Sequence, residues 1–321
     1  MGIYIFRRLA LFVPTLIGVT IVIFVIMRVF VPGDIAELLV GDAASIPASE
    51  VQEQIDAIRA ELELDKPYTT QYISWMKGLV QGDFGMSYWE KRPVSEIVGE
   101  RFPRSLELAI MTLIIAMLWA VPLGVISAVK QNTWTDYVVR VISIAGLSLP
   151  LFLTGILIVY FLIRFFSWLP PLEFQDLADN PLENFQQMIW PALAQAFYIS
   201  APITRLTRSQ MLDVIREDYV RTARAKGLRE RVVIYHHALG NALLPVVTFI
   251  GWWGGRLLGG IIIMELIFGI PGMGTSLIDA VSHRDYPTVQ AIVFIMALVF
   301  LLLNLIIDLL YAWMDPRIRY A

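Results

Sequence analysis

Apolar residues gather into six runs along the chain, and polar stretches of unequal length separate them. Each run approaches or exceeds the length of about 20 residues that a helix needs to cross a bilayer. The predicted spans are residues 9–31, 105–129, 138–163, 189–206, 242–263 and 288–313, with a break in the third span at Pro150. The pattern predicts an all-α membrane protein with six transmembrane helices.

The longest polar segment, residues 32–104, separates the first two spans and has helical periodicity of its own. Apolar residues recur at helical spacing between residues 51 and 62. A second helix is predicted after Pro67, with Tyr72 and Trp75 in an aromatic stripe. Such a stripe is more typical of packing or membrane-interface contact than of a ligand site.

The predicted spans divide the chain into three parts. Residues 1–31 form the N-terminus and first span, residues 32–104 a helical insertion, and residues 105–321 a five-span core with a large polar loop at 205–241. The side with both termini and this loop carries 14 basic and 7 acidic residues, against 9 basic and 21 acidic on the other side. By the positive-inside rule, the termini and the loop are predicted to be cytoplasmic and residues 32–104 extracytoplasmic.

Composition excludes several classes of protein. The chain has 321 residues, of which 57% are hydrophobic, and no cysteine, so thiol chemistry and thiolate metal sites are excluded. The sequence also lacks a G-x-x-x-x-G-K-[ST] nucleotide site, an H-E-x-x-H metal pair and a G-x-S-x-G nucleophile. His236 and His237 are adjacent, so on a helix they point in different directions and are interpreted as packing residues. Any energy for transport must therefore come from another subunit.

The most basic stretch, residues 213–245, contains the signals of a short helix. Glu217 and Asp218 lie where a helix N-terminus favours negative charge, and basic residues gather toward the other end. Gly227 can adopt the left-handed conformation that ends a helix. By composition alone, an ordinary positive-inside loop whose charges only set topology is the simpler interpretation.

Arg256 is the one clear ionisable residue well inside a predicted span. An unpaired cation at such a depth costs about 2.5–3.5 kcal/mol on insertion scales. Arg256 either faces a pathway and meets a substrate carboxylate or phosphate, or it pairs with Glu265 or an acid of a partner chain, or it snorkels. A single cation is a poor proton relay, which argues against an ion-coupled secondary transporter.

Ten short sequence blocks, spread in order along nearly the whole chain, match the blocks of a known family. They are YIFRRLALFVPTLIGVTIVIF at 4–24, PGD at 32–34, LDKPYTTQY at 64–72, GDFGMS at 82–87, RLTRSQML at 205–212, DYVRTARAKGLRERVVIYHHALGNALLPVVTFI at 218–250, LLGG at 257–260, PGMG at 271–274, RDYP at 284–287 and NLIIDLLYAWMDPRIRY at 304–320. In order and spacing they resemble ABC-transporter permeases of the dipeptide/oligopeptide/nickel class.

The chain departs from the broad permease signature at a few positions. Arg221, Thr222 and Ala223 stand where that signature has Glu-Ala-Ala, and Gly240 stands where it ends in proline. Both changes resemble the peptide branch of the family. The segment Phe174–Met188 does not resemble any block of the family.

The resemblance implies a type I ABC importer permease fold and a cytoplasmic coupling helix that rests in a groove of an ATPase. The residues implied in ATPase coupling are Asp218, Tyr219, Arg221, Thr222, Ala223, Arg224, Ala225, Lys226 and Gly227, with Arg221, Arg224 and Lys226 as ionic contacts. Ala223 and Gly227 are expected to let the partner approach closely, and Arg256 is a candidate for the substrate pathway.

The resemblance also implies the partners and the location. We expect a homologous second permease, two ABC ATPase subunits that bind ATP and Mg, an extracytoplasmic solute-binding protein that lands on residues 32–104, and membrane lipid. No cofactor of the chain's own, no enzymatic activity and no nucleic acid are expected. The implied location is a bacterial or archaeal plasma membrane.

The implied substrate is a di- or oligopeptide, although nickel chelates or other small solutes of the same family stay open. A secondary transporter or a non-transport scaffold is the alternative outside the family.

Overall fold

The computed structural model describes residues 2–30, 48–61, 64–171 and 173–314, and their regular structure is helical throughout. The elements are α1 (Gly2–Val25, continued by a π-helical segment, Ile26–Phe30), α2 (Ala48–Glu61), α3 (Tyr68–Gln81), α4 (Val94–Val129), α5 (Trp134–Ser148), α6 (Leu151–Phe166), α7 (Pro181–Ile215), α8 (Asp218–Ala225), α9 (Glu230–Val232, continued by a π-helical segment, Val233–Ala238), α10 (Leu239–Phe268), α11 (Met273–Ser282) and α12 (Tyr286–Met314).

Four helical stretches in the described ranges are long and apolar enough to span a membrane, and two bent pairs raise the number to six if each pair is one span. The four are Ala10–Arg28, Val94–Val129, Glu230–Gly255 and Tyr286–Ile307. The bent pairs are Trp134–Ser148 with Leu151–Phe166, at 104°, and Gly259–Phe268 with Met273–Ser282, at 84°. The all-α membrane architecture predicted from the apolar runs is confirmed.

The third predicted span is two helices that meet at a sharp angle. The residue before Pro150, Leu149, has φ −80° and ψ 126°, which is extended backbone. The proline ring excludes the helical conformation at the preceding residue, so α5 ends there and α6 starts in a new direction. The sequence predicted the break but not the 104° turn.

The fourth predicted span, residues 189–206, lies within the 35-residue helix α7, which is not among the apolar candidates of the described chain. Polar side chains such as Asn184, Gln195 and Thr207 are buried along α7. This helix packs against α5, α6 and α10, so protein rather than lipid covers much of it. A helix enclosed in this way need not be apolar all round.

Backbone contacts group the chain into two compact units. One comprises Met1–Leu9, Arg101–Ser276 and Val299–Ala321, and the other Ala10–Glu100 and Leu277–Leu298. The first unit is built around α7, where small residues permit close packing. A Cβ added to Gly124, for example, would lie 2.6 Å from Thr207 Cβ. Glycine at that position lets α4 and α7 approach closely.

The second unit joins two sequence blocks that lie far apart in the chain. Asp285, only 2% exposed, accepts hydrogen bonds from Ser87 Oγ at 2.5 Å, Tyr88 N at 3.0 Å and Thr288 Oγ1 at 2.7 Å. GDFGMS and RDYP are therefore held together by one buried carboxylate. The aromatic stripe of α3 packs on α1 in the same unit.

That contact is made by Tyr72 and Trp75. Their ring centroids lie 5.5 Å and 6.2 Å from the ring centroid of Phe24, and the Tyr72 hydroxyl forms a 2.8 Å hydrogen bond with Thr20. The stripe is a packing surface, as the sequence indicated.

Candidate functional site

The predicted short helix of the 205–241 loop is present as α8. It starts after Glu217, whose extended backbone has φ −65° and ψ 147°. It ends in a turn in which Gly227 has φ 75° and its N–H donates to Arg224 O at 2.9 Å. Leu228 N then donates to Ala223 O at 3.4 Å, which closes the end of the helix. Gly227 thus ends the helix by the left-handed conformation that the sequence predicted.

One side of α8 is anchored in the chain's own core. Val220 and Ala223 are buried at 0% and 5% exposure and pack with Val233 and Val214. We expected Ala223 to permit close approach of a partner, but its side chain faces inward. The small residue instead lets α8 pack closely on the segment that follows it.

The opposite side of α8 is exposed and polar. The side chains of Asp218 and Arg221 are 96% and 69% exposed, and they form an ion pair at 3.3 Å within the helix. The remaining predicted coupling residues, Tyr219, Thr222, Arg224, Ala225, Lys226 and Gly227, are exposed as well. The structure therefore leaves all of the predicted coupling residues except Ala223 exposed.

Two of these residues also make contacts within the loop. Arg224 donates to Glu230 at 2.8 Å and 3.2 Å, and this hydrogen bonding raises the pKa of Arg224 above its ordinary value. The Tyr219 hydroxyl accepts a 2.8 Å hydrogen bond from Asn241 Nδ2. These contacts fix α8 relative to the start of the following long helical stretch.

A buried ionic network that the sequence did not reveal lies where α4, α5 and α7 meet. Asp136 is fully buried and accepts hydrogen bonds from Arg208 Nε and Nη2, both at 2.8 Å. Ser127 Oγ at 2.5 Å and Asn132 N at 3.0 Å also donate to it, and Arg140 Nε lies 3.7 Å from its Oδ1. We call Asp136, Arg208, Ser127 and Asn132 the Asp136 network. It holds α7 to α4 and α5 seven residues before α7 ends and α8 follows.

The sequence carried only a weak signal of this network. Arg208 and Asp136 lie 72 positions apart, and both counted merely as cytoplasmic charges. Opposite charges next to neighbouring spans are common, so the pairing required the three-dimensional arrangement.

Another buried carboxylate, Glu265, organises the PGMG turn. It accepts hydrogen bonds from Ser105 Oγ at 2.5 Å, Gly274 N at 2.8 Å and Thr275 N at 3.0 Å. The two backbone donors belong to the first turn of α11, where a helix N-terminus favours negative charge. Glu265 therefore caps α11. Arg256 lies in α10, but its side chain is outside the described part of the structure, so its predicted pathway role stays a prediction.

The segment Phe174–Met188, which resembled no family block, is tied to α4. Arg104 donates to both oxygens of Asp176, at 2.6 Å and 2.7 Å, and these hydrogen bonds lower the pKa of Asp176. Asn184 Nδ2 donates to Glu107 at 3.2 Å and to Gln175 O at 3.0 Å. The connection into α7 is thus held in place by polar contacts.

No group of three or more metal-ligating His, Cys, Asp or Glu side chains was found in the ranges that the structure describes. What the site offers is an exposed polar helix, anchored by two apolar residues and joined to a helix that the Asp136 network fastens to its neighbours. Such an arrangement suits mechanical attachment of another protein better than chemistry.

Comparison with known proteins decides the family. Residues 120–320 match the family described as the binding-protein-dependent transport system inner membrane component, and residues 1–109 match the N-terminal region of such components. The chain belongs to this family. The resemblance to ABC-transporter permeases is thereby confirmed, and the chain is a multi-pass membrane permease component.

Several relatives of this permease match over its full length. The dipeptide transport system permease protein DppB of Alkalihalophilus pseudofirmus is 38% identical over 338 aligned residues, which cover 99% of each chain. The glutathione transport system permease protein GsiC of Escherichia coli K12 is 38% identical over 317 residues, again 99% of each chain. The GsiC protein of Salmonella choleraesuis is 39% identical over 317 residues with the same coverage.

A solved structure titled "Crystal structure of an amino acid ABC transporter with histidines" also aligns with the permease. It has a TM-score of 0.49 and 16% sequence identity, over 70% of this chain and 94% of that chain.

Proposed function

We propose that this permease forms half of the translocation pathway of an ATP-driven importer of di- or oligopeptides. The relatives named for dipeptide and glutathione transport support the substrate class, since glutathione is itself a small peptide. The observation that carries the coupling mechanism is the exposed polar face of α8 on an apolar anchor.

Movement of an ATPase would reach the membrane through α8. An ATPase pair that closes on ATP draws its docking grooves together, and a helix seated in each groove must follow. Only Arg216 and Glu217 separate α8 from α7, so displacement of α8 pulls directly on α7. Because the Asp136 network fastens α7 to α4 and α5, these helices move together.

The proposed assembly contains a second, homologous permease, two ATPase subunits that bind ATP and Mg, and an extracytoplasmic solute-binding protein that lands on residues 32–104. The permease contacts the ATPase through the exposed residues of Asp218–Gly227. The buried Ala223 lets α8 pack closely on its own chain and so positions the helix. Both termini are cytoplasmic in this arrangement. Arg256 is proposed to face the pathway.

The experiment uses the complete transporter, reconstituted in proteoliposomes with its binding protein. Arg221→Glu reverses an exposed charge on α8, and Gly227→Asp adds a carboxylate beside it. Asp tolerates the left-handed conformation better than most residues, and a Cβ at Gly227 meets nothing within 4 Å. Both variants should insert normally and yet lose peptide uptake and peptide-stimulated ATP hydrolysis by more than tenfold.

Matched controls separate docking from folding. Gly227→Asn has nearly the same shape as Gly227→Asp without the charge, and Arg229→Glu reverses an exposed charge beyond the helix, so both should retain most uptake. Normal uptake in both Arg221→Glu and Gly227→Asp would refute the coupling role of α8. Peptide transport by the purified chain without an ATPase would refute the proposed function itself.

A further inference from the structure

An open cavity of about 590 Å³ lies at the junction between α5 and α6, against α7 and α10. The α5–α6 break at Leu149 and Pro150 forms one wall, and Gln195, Tyr198 and Trp253 form another. Among the lining residues that the structure describes, none carries a charge. The cavity is large enough for a small solute and combines aromatic walls with a few polar groups, as ligand sites do.

Two of the lining residues carry a buried polar atom that lacks a hydrogen-bond partner within the described chain. Gln195 is 1% exposed, and its Nε2 donates to Leu257 O at 3.2 Å, while its Oε1 accepts nothing. The indole Nε1 of Trp253 is a buried donor without an acceptor. Buried polar groups in folded proteins nearly always have partners, so an unpaired acceptor and an unpaired donor on one cavity require an explanation.

The two unpaired groups complement a peptide group. Each peptide unit carries one N–H donor and one C=O acceptor, and every peptide presents the same pair whatever its side chains. Gln195 Oε1 can accept from an N–H, and Trp253 Nε1 can only donate, so it suits a C=O. The charged ends of a peptide find no counter-charge among the described lining residues.

Glycines on α10 keep this wall open. A Cβ added to Gly260 would lie 2.8 Å from Gln195 Nε2 and 3.1 Å from Leu151 Cδ2, so glycine leaves room for the Gln195 amide. A Cβ added to Gly259, which also lines the cavity, would meet nothing within 4 Å. A larger side chain at residue 259 therefore has open space around its first atom.

We propose that this cavity is where the permease recognises a peptide in transit, through backbone amide groups that Gln195 and Trp253 contact when their side chains turn toward the cavity. Recognition of the backbone would let one permease carry peptides of many sequences. This inference rests on the proposed function, in which the transporter imports peptides.

The test compares two substrates in the complete reconstituted transporter with its binding protein. One is a tripeptide of alanine, and the other is the same tripeptide with methylated amide nitrogens, which cannot donate a hydrogen bond. The binding protein is identical in every arm, so a change in the ratio of the two uptake rates between variants reports on the permease.

Gln195→Met keeps the length of the side chain and removes both the Oε1 acceptor and the Nε2 donor that bonds Leu257 O, so the first loss is read from the ratio of the two uptake rates. We expect it to slow uptake of the unmodified tripeptide about two- to tenfold, as the loss of one hydrogen bond implies, with little effect on the methylated one. Trp253→Phe should slow uptake of both tripeptides, because both keep their C=O groups. Trp252→Phe, in a neighbouring half-exposed ring that is not among the described lining residues, should change neither rate.

Gly259→Leu tests occupancy of the cavity. It should block uptake of both tripeptides while the second permease still co-purifies and basal ATP hydrolysis persists. Gly18→Leu, at an exposed α1 position whose added Cβ also meets nothing within 4 Å, should transport normally.

Three outcomes would overturn the inference. An unchanged ratio in Gln195→Met, whether uptake is normal or equally reduced for both tripeptides, would assign Gln195 a purely structural role. Loss of the second permease from purified Gly259→Leu would mean that a subunit, not a solute, fills the cavity. A wild-type transporter that imports neither tripeptide would refute the proposed function and this inference together, whereas the first two outcomes leave the proposed function standing.

Discussion

Replacement of Asp136 by asparagine should destabilise the permease strongly, because Asp136 is the centre of a buried ionic network. The carboxylate is fully buried and accepts four hydrogen bonds, two of them from Arg208. The others come from Ser127 and Asn132. Asparagine keeps the size of the side chain but replaces one acceptor oxygen with an NH₂ group. That group would face donors, so at least one hydrogen bond is lost and Arg208 is left without its counter-charge.

The size of the effect follows from the burial of the two partners. Breaking a buried ion pair by removing one partner costs about 3–5 kcal/mol. Arg208 keeps 20% of its side chain exposed, so water compensates part of the loss. We expect the lower end of that range, about 3 kcal/mol, which is a change of roughly a hundredfold in the unfolding equilibrium. Asp136→Asn with Arg208→Met removes both charges and should recover at least about 1 kcal/mol.

The measurement is the apparent Tm of the detergent-solubilised transporter, with variants compared at one scan rate. The matched control is Asp218→Asn, which removes the exposed Asp218–Arg221 ion pair of α8 and should leave Tm unchanged. The reasoning fails if Asp136→Asn melts with the wild type. It also fails if the double variant loses as much as the two single variants combined, since then the residues are not coupled.

Two further predictions concern the close contact at Gly272 and the ion pair of Asp176. Gly272→Ala should cost about 1–3 kcal/mol, because the added Cβ would overlap the Glu265 carboxylate, while Gly99→Ala, where the Cβ meets nothing within 4 Å, should leave Tm unchanged or raise it. Asp176 has a lowered pKa because it accepts hydrogen bonds from Arg104, so its ion pair stabilises the fold above about pH 4 and is lost as the pH falls through the lowered pKa. Asp176→Asn should therefore reduce the fall in Tm as the pH is lowered below about 4. A Tm that falls with pH in the variant as it does in the wild type would contradict this account.

The sequence alone predicted the helical architecture well, because lipid leaves a spanning segment few choices. Backbone polar groups in hydrocarbon must bond within a helix, so long apolar runs such as residues 288–313 indicate spans directly. The predicted span at residues 189–206 lies within α7, but its apolar run did not indicate that polar residues such as Asn184 and Thr207 are buried along that helix. A helix enclosed by other helices can be polar, and hydropathy does not report which helices are enclosed.

Local chemistry likewise indicated α8, because its signals act over a single turn. The charge gradient and Gly227 are read from consecutive residues, and the helix ends where they predicted. The sequence did not indicate which side of α8 is exposed. Ala223 is one of the smallest residues of α8 and was interpreted as part of a contact surface, but Val233 and Val214 cover it.

The sequence by itself determined the membrane architecture, the charge asymmetry and the position of α8, since each depends on residues that are close in the chain. Only the tertiary structure decided the 104° bend at Pro150, the Asp136 network and the cavity beside Gln195. The network and the cavity join residues tens of positions apart, and the angle at Pro150 depends on how α5 and α6 pack against other helices, which no local pattern encodes.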